Sequence, residues 1–244
     1  MKLYILTSES HTRLLNEWFL PSIEDDFELV RQDSSQICSD GRYMASGFVE
    51  MMIKKVDLIL RAIEENPSRV FIYSDVDVQF FCGIESDIAK LMDGMDMLII
   101  KDSPRGVMCP GFFAGRGSDA FRDLWLKIRE RLEQSTKYHD QDVLNDLLLG
   151  RAIACSVTLS RALFYLTSCY VPVLHYRSLH NFGVRWGYLP PRYYCYGADT
   201  WRRWKPGRPV HLPDPIFVHH ANWVSGVQGK FELMDAVRKK VCAK

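Results

Sequence analysis

The stretch Val70-Phe71-Ile72-Tyr73-Ser74-Asp75-Val76-Asp77-Val78 decides the fold. Val70–Tyr73 is wholly apolar and short, the pattern of a strand buried on both faces of a sheet. It runs straight into two acids. Upstream, Ala45, Phe48, Met52, Val56, Ile59 and Ile63 recur at spacings of three or four, which predicts a helix over 45–65 with one apolar stripe. Asn66-Pro67 ends that helix. Leu3–Leu6 reads as a first buried strand, stopping at Thr7-Ser8. Residues 10–20 read as a helix burying Leu14, Leu15, Trp18 and Phe19 and stopped by Pro21, and Phe27–Arg31 reads as a second strand.

Downstream, Gly83 and Gly94 bracket a short helix, and Met97–Ile100 is another buried strand. Gly111–Ala114 reads as a further strand. Ser118 caps a helix with Phe121, Leu124, Trp125, Ile128 and Leu132 on one face. A shorter helix runs from Asp140 to near Gly150. Residues 169–216, rich in Pro, Tyr, Trp and Arg, suggest irregular structure closing over a site. An amphipathic basic helix covers roughly 230–240. Strands alternating with helices predict an α/β fold with a mainly parallel sheet and crossover helices.

Composition fits this reading. The chain has 244 residues, 47% apolar and 25% charged, which suits one globular α/β domain and excludes a disordered chain. Lys+Arg number 31 against 30 Asp+Glu, so the basic excess of a nucleic-acid binder is missing. Seven cysteines, at 38, 82, 109, 155, 169, 195 and 242, form no C-x-x-C pair, which argues against a disulfide framework and a zinc ribbon. They read as small buried hydrophobes in a reducing compartment. MKLYILTSES lacks a signal-type apolar region, and no window of the chain predicts a transmembrane segment. The expectation is a cytoplasmic protein, with Arg202-Arg203 and Lys205 as a patch that could meet a membrane surface or an anionic acceptor.

Ligands of open α/β sheets bind outside the carboxyl ends of strands, where Asp75 and Asp77 sit. If the run stays extended, residues i and i+2 project to one side, so both carboxylates can share a divalent cation. Oxygen ligands suit Mg²⁺ or Mn²⁺. The plain alternative is a pair of solvated acids closing a strand. Asp140-Gln141-Asp142 repeats the Asp-x-Asp spacing, so spacing alone is weak evidence. Near the end, Pro215-Ile216-Phe217-Val218 leads into His219-His220-Ala221-Asn222-Trp223, with Lys230 beyond. One imidazole could complete the carboxylate site, and Lys230 could neutralise a phosphate. His175, His180 and His211 lack ligand spacing.

Taken together, these segments resemble the GT-A nucleotide-sugar glycosyltransferases. The likeness is closest to the nucleotide-diphospho-sugar transferase group that includes plant arabinogalactan and pectin xylosyltransferases, and more distant to glycogenin-like enzymes. FIYSDVDVQFF (71–81) resembles the group's Asp-x-Asp segment, and CPGFFAGRGS (109–118) its C-x-G-F-F strand. HDQDVLND (139–146) resembles its Asp-Gln-x-x-Leu-Asn helix start, and HHANWVSGVQGK (219–230) its terminal His-x-Asn…Gly…Lys segment. The matches span nearly the whole chain in order.

The resemblance implies a GT-A type Rossmann-like sandwich in a single domain, residues 1–244. Its nucleotide-binding half would be 1–101 and its acceptor- and sugar-binding half 102–244. It also implies roles. Asp75 would contact the ribose and the metal, Asp77 would ligate the metal, and His220 would be the third ligand, with His219 its rival. Lys230 would meet the diphosphate. Thr7 and Ser8 would lie by the nucleoside, with Lys55, or its neighbour Lys54, on the base or ribose side. Asp140 and Gln141 would line the sugar pocket, although Asp140 reads equally well as a helix N-cap.

The implied activity is transfer of a sugar from a nucleotide sugar, a UDP-sugar by resemblance, to a hydroxyl of a carbohydrate, lipid or protein. Mn²⁺ or Mg²⁺ would assist, with retention of configuration as in the nearest relatives. An inverting course would need a base, for which Asp140 or Asp142 is available. Two alternatives stand beside it. One is a haloacid-dehalogenase-like phosphatase using Asp75 and Asp77. The other is a non-catalytic nucleotide-sugar-binding module.

Overall fold

The structure is a computed structural model that describes residues 1–37, 46–104, 106–134, 138–149, 182–199, 203–224 and 226–243. Of the sequence expectations, Ala45 on the long helix, Cys38, Cys155, Cys169, His175, His180, Trp201, Arg202 and the parts 169–181 and 200–202 of the irregular 169–216 segment lie outside the described residues.

Among the described residues, six strands form the main sheet: β1 (Lys2–Ser8), β2 (Glu28–Ser34), β3 (Val70–Ser74), β5 (Met97–Lys101), β6 (Met108–Arg116) and β7 (Trp186–Tyr188), in the order β2-β1-β3-β6-β5-β7. β1 pairs in parallel with β2 and β3, and β5 with β7, whereas β6 runs antiparallel to both β3 and β5. The sheet is therefore mainly parallel, with one reversed strand wedged into its centre. The apolar run Gly111–Ala114 did not disclose that direction, because a strand buried on both faces reads the same either way. A smaller sheet stands beside it, in the order β4 (Val78–Phe80), β9 (Val218–His220), β8 (Tyr193–Cys195).

Alternation along the strands builds two cores. Leu3, Ile5, Ile72, Leu98 and Phe112 point to one face, where Leu14, Phe19 and the last helix, α6 (Gly226–Cys242), cover them. Tyr4, Leu6, Phe71, Tyr73, Ile99 and Phe113 point to the other. There they meet α2 (Phe48–Glu65), α4 (Asp119–Gln134) and α5 (Asp140–Leu149). The short α3 (Glu85–Leu91) joins β4 to β5. This gives a helix–sheet–helix sandwich. Asn66 ends α2 by donating from Nδ2 to Ala62 O at 2.7 Å and to the Tyr4 hydroxyl at 2.8 Å.

The 10–20 segment differs from the helix expected of it. The chain winds through a 3₁₀ turn (Glu9–His11), a single α-turn, α1 (Thr12–Leu14), a π-turn (Leu15–Phe19) and a second 3₁₀ turn (Leu20–Ser22). Leu14, Leu15 and Phe19 are still buried, so tertiary packing overrides the regular 3.6-residue winding.

Candidate functional site

The carboxyl ends of β1, β3 and β5 open onto one cavity of about 660 Å³. Its walls include Thr7, Ser8, Lys55, Asp75, Asp77, Asp140, Gln141, His220 and Lys230, whereas the rival candidates Lys54 and His219 do not line it.

Asp75 and Asp77 do not lie on extended strand. β3 ends at Ser74, and the chain turns through Val76-Asp77 before β4 begins. The carboxylates converge nonetheless. Ligand atoms of Asp75, Asp77 and His220 all lie within 4.8 Å of one another. Gly111 makes room for this: a Cβ there would sit 2.4 Å from His220 Cε1 and 2.9 Å from Asp75 Oδ2. The Gly111 carbonyl also accepts the Asp75 N–H at 2.7 Å. The β5–β6 register breaks here, Ile99 pairing with Phe113 but Ile100 with Cys109, so Pro110–Phe112 bulges towards the acids.

The two acids sit in different fields. Lys230 Nζ is 2.7 Å from Asp77 Oδ2, and His220 Nε2 is 3.3 Å from Asp77 Oδ1. Burial opposes ionisation, but these two cations outweigh it and hold Asp77 well below the usual carboxylate range. Asp75 accepts from the Tyr73 hydroxyl at 2.9 Å and faces Lys55 Nζ at 3.3 Å. Burial raises its pKa; Lys55 pulls it down, while Asp77 pushes it further up. Burial would likewise lower His220, yet Asp77 and Cys109 raise it well above its ordinary value.

β-Strand alternation separates the adjacent histidines. His220 faces the acids. His219 points into the opposite packing, stacked on Tyr194 with ring centroids 6.1 Å apart and its Nδ1 3.5 Å from Gln79 Nε2. Fully buried, it is pushed down to about 3, mainly by desolvation. The adjacent lysines divide in the same way. Lys55 is buried between Asp75 and Asp140, with Nζ 3.0 Å from Asp140 Oδ2, whereas Lys54 reaches Ser34 Oγ at 2.8 Å.

Asp140 is the first residue of α5 and not its cap. Its carboxylate turns to Lys55, and the His139 N–H is met instead by Asp142 Oδ2 at 3.4 Å. A buried ammonium competes better for a carboxylate than a helix terminus does. Burial notwithstanding, Lys55 and His139 drive the Asp140 carboxyl far below its ordinary value. Gln141 Nε2 donates to Asp102 Oδ2 at 2.8 Å.

Asp102 escaped the sequence reading. It follows β5 as Asp75 follows β3, so the rule that found one acid would have found the other. Its Oδ1 accepts from Asn222 Nδ2, from Trp223 Nε1 at 3.1 Å and from Cys195 Sγ at 3.3 Å. Burial and Cys109 push its carboxyl up to about 7, against the pull of these donors. His11 also lines the cavity, and no local pattern marks it. Burial and Lys230 lower it to about 4.

The donor set of two carboxylates and one imidazole around a close, buried convergence fits a hard divalent cation such as Mn²⁺. Among the described residues, no helix is long and apolar enough to cross a membrane.

A family model described as nucleotide-diphospho-sugar transferase matches residues 11–234. No curated protein matches the chain. Among solved structures, a glycosyltransferase involved in glycosylating the major capsid of PBCV-1 is 11% identical, with a TM-score of 0.51 over 96% of this chain and 99% of that one. It shares the GT-A type fold. Glycosyltransferase GlyE of Streptococcus pneumoniae TIGR4 is 12% identical (TM-score 0.39, 59% of this chain and 42% of that one). The galactosyltransferase LgtC, in complex with donor and acceptor sugar analogues, is 13% identical (TM-score 0.35, 59% and 69%).

Proposed function

Because the chain belongs to the nucleotide-diphospho-sugar transferase family, we propose that it transfers a sugar from a UDP-sugar to an acceptor hydroxyl with the help of Mn²⁺ or Mg²⁺ and with retention of configuration. The enzyme is a glycosyltransferase; the donor, the metal and the stereochemistry are the content of the proposal. One observation carries it: Asp75, Asp77 and His220 converge within 4.8 Å beside Lys230, in a cavity that Thr7 and Ser8 also line.

Asp75, Asp77 and His220 would hold the cation, which when bound supplies positive charge against the departing diphosphate. Lys230 would exchange Asp77 for a diphosphate oxygen, adding a second positive charge where negative charge develops. His220 would give up the proton it holds towards Asp77 and turn its lone pair to the ligand site. Thr7, Ser8 and His11 would flank the nucleoside, and Asp75 the ribose. Lys55 keeps Asp75 and Asp140 fixed on either side of its ammonium, so the pocket is organised before substrate arrives. Asp140 and Gln141 would face the sugar. A carboxyl held as far down as that of Asp140 is a weak base, which leaves Asp142 as the base an inverting course would need.

In this reading residues 1–101 supply most of the nucleotide side, and 102–244 most of the sugar and acceptor side, of a single domain. The closer likeness to plant xylosyltransferases belongs to the same proposal and rests on the four motifs. The acceptor is a carbohydrate, lipid or protein hydroxyl in a cytoplasmic setting. Family membership replaces the phosphatase alternative.

Thermal melts with UDP and Mn²⁺, together and singly, test the reading. A ligand at about 100 times its Kd adds roughly 2.7 kcal/mol to the native state. Joint stabilisation that Asp77→Asn removes, with release of UDP from a UDP-sugar, is the expected result. Stabilisation without donor turnover would return the chain to a binding module. No stabilisation by any nucleotide–metal pair would defeat the proposal.

A further inference from the structure

The back of His220 faces sulfur. β8 and β9 pair in parallel with Cys195 beside His220, and β6 brings Cys109 against the same ring. Cys109 Sγ lies 3.5 Å from His220 Nδ1, and one ligand atom from each of Cys109, Cys195 and His220 falls within 4.8 Å of the others. Around a tetrahedral zinc ion, with Zn–S about 2.3 Å and Zn–N about 2.0 Å, neighbouring ligand atoms stand roughly 3.5 Å apart. The Cys109–His220 pair already has that separation. Asp102 Oδ1, 3.3 Å from Cys195 Sγ and held by the N–H groups of Gln141, Asn222 and Trp223, orients the Cys195 ligand from behind, and the fourth position opens to the cavity for water. Asp102, Cys109 and His220 line the 660 Å³ cavity, which gives an ion a way in.

We propose that Cys109, Cys195 and His220 form a second metal site, selective for Zn²⁺, that competes with the catalytic cation for the His220 imidazole. Thiolates select a soft or borderline ion, whereas Asp75 and Asp77 select a hard one. A neutral imidazole carries one N–H and one lone pair. Zinc on Nδ1 leaves the Nε2–H directed at Asp77. A hard cation on Nε2 leaves the Nδ1–H directed at Cys109 Sγ. The two ions therefore exclude each other. Zinc entry releases the two thiol protons to solvent and moves no electrons. The site stands without the transferase reading; only the competition rests on it.

Co²⁺ alone, titrated into the reduced full chain without nucleotide, tests the site. The expected result is a saturable thiolate-to-cobalt charge-transfer band that stoichiometric Zn²⁺ abolishes. Cys195→Ser and, separately, Cys109→Ser should lose that band while keeping their far-ultraviolet circular dichroism. A wild-type chain without the band, or a band unchanged in both variants, overturns the site. With the site occupied by Zn²⁺, the Mn²⁺ needed for half-maximal stabilisation by UDP should rise by about tenfold or more, and should not rise in Cys195→Ser. A cobalt band with no shift in Mn²⁺ requirement overturns the competition. A cobalt band in a chain that binds no Mn²⁺–UDP keeps the zinc site and defeats the transferase reading.

Discussion

Asp75-Val76-Asp77 leaves β3 in a turn, whereas Asp140-Gln141-Asp142 opens α5. The turn brings Asp75 and Asp77 together on His220. The helix advances about 100° per residue, so acids two apart point some 200° from each other. Asp140 accordingly meets Lys55 at 3.0 Å, with His139 Nδ1 at 3.7 Å, while Asp142 meets His139 Nε2 at 3.2 Å. The same spacing thus makes a shared ligand set in one place and, in the other, two acids that face different cations and meet only through opposite nitrogens of His139. The motifs are coupled all the same, because Lys55 stands between Asp75 and Asp140.

The contrast is open to attack by substitution. Asp77→Asn removes a ligand charge and little volume, so metal-dependent transfer should fall at least about 100-fold with the fold intact. Steady-state assays with UDP-sugar donors measure it, and retained turnover in this variant would erase the distinction between the motifs. Lys55→Met should leave Asp75 and Asp140 buried without their shared cation and cost about 3–5 kcal/mol in urea denaturation. A neutral outcome would mean that the motifs are independent.

His220→Ala should weaken Mn²⁺ binding by about tenfold or more, read by titration calorimetry. His219→Ala should leave that affinity unchanged and lower stability by roughly 2–3 kcal/mol, since it empties a packed site. The opposite pattern would reassign the ligand.

Asp140→Asn sharpens the comparison through pH. The folded pKa of Asp140 lies below its unfolded value, so its stabilisation is complete above about pH 4 and fades as pH falls towards the folded value. The difference in Tm between wild type and variant should be widest near pH 7 and should shrink by about pH 3. Asp142→Asn, half-buried at the rim of the cavity, should change stability by less than about 1 kcal/mol and transfer by no more than about threefold.

Much of the sheet was legible because burial on both faces leaves a local trace. Leu3–Leu6, Val70–Tyr73 and Met97–Ile100 all fall on observed strands. The stripes of α2 and α4 did likewise for helices. The winding of 9–22 was not legible, since Leu14, Leu15 and Phe19 are apolar whether the turn is 3₁₀, α or π. Asp102 was legible in principle, as an acid at a strand end.

Read alone, the chain determined the alternation of strands and helices, the acids at the end of β3, and the terminal His-x-Asn and Lys230 segment, because hydrophobic period and residue chemistry are local properties. Tertiary structure decided the direction of β6, the choice of Lys55 over Lys54, and the face on which His220 rather than His219 meets the acids. It also set Cys195 and Cys109 behind that ring. Each of those outcomes depends on which neighbour packs against which face, and a strand or helix carries its two faces in sequence without saying what will cover them.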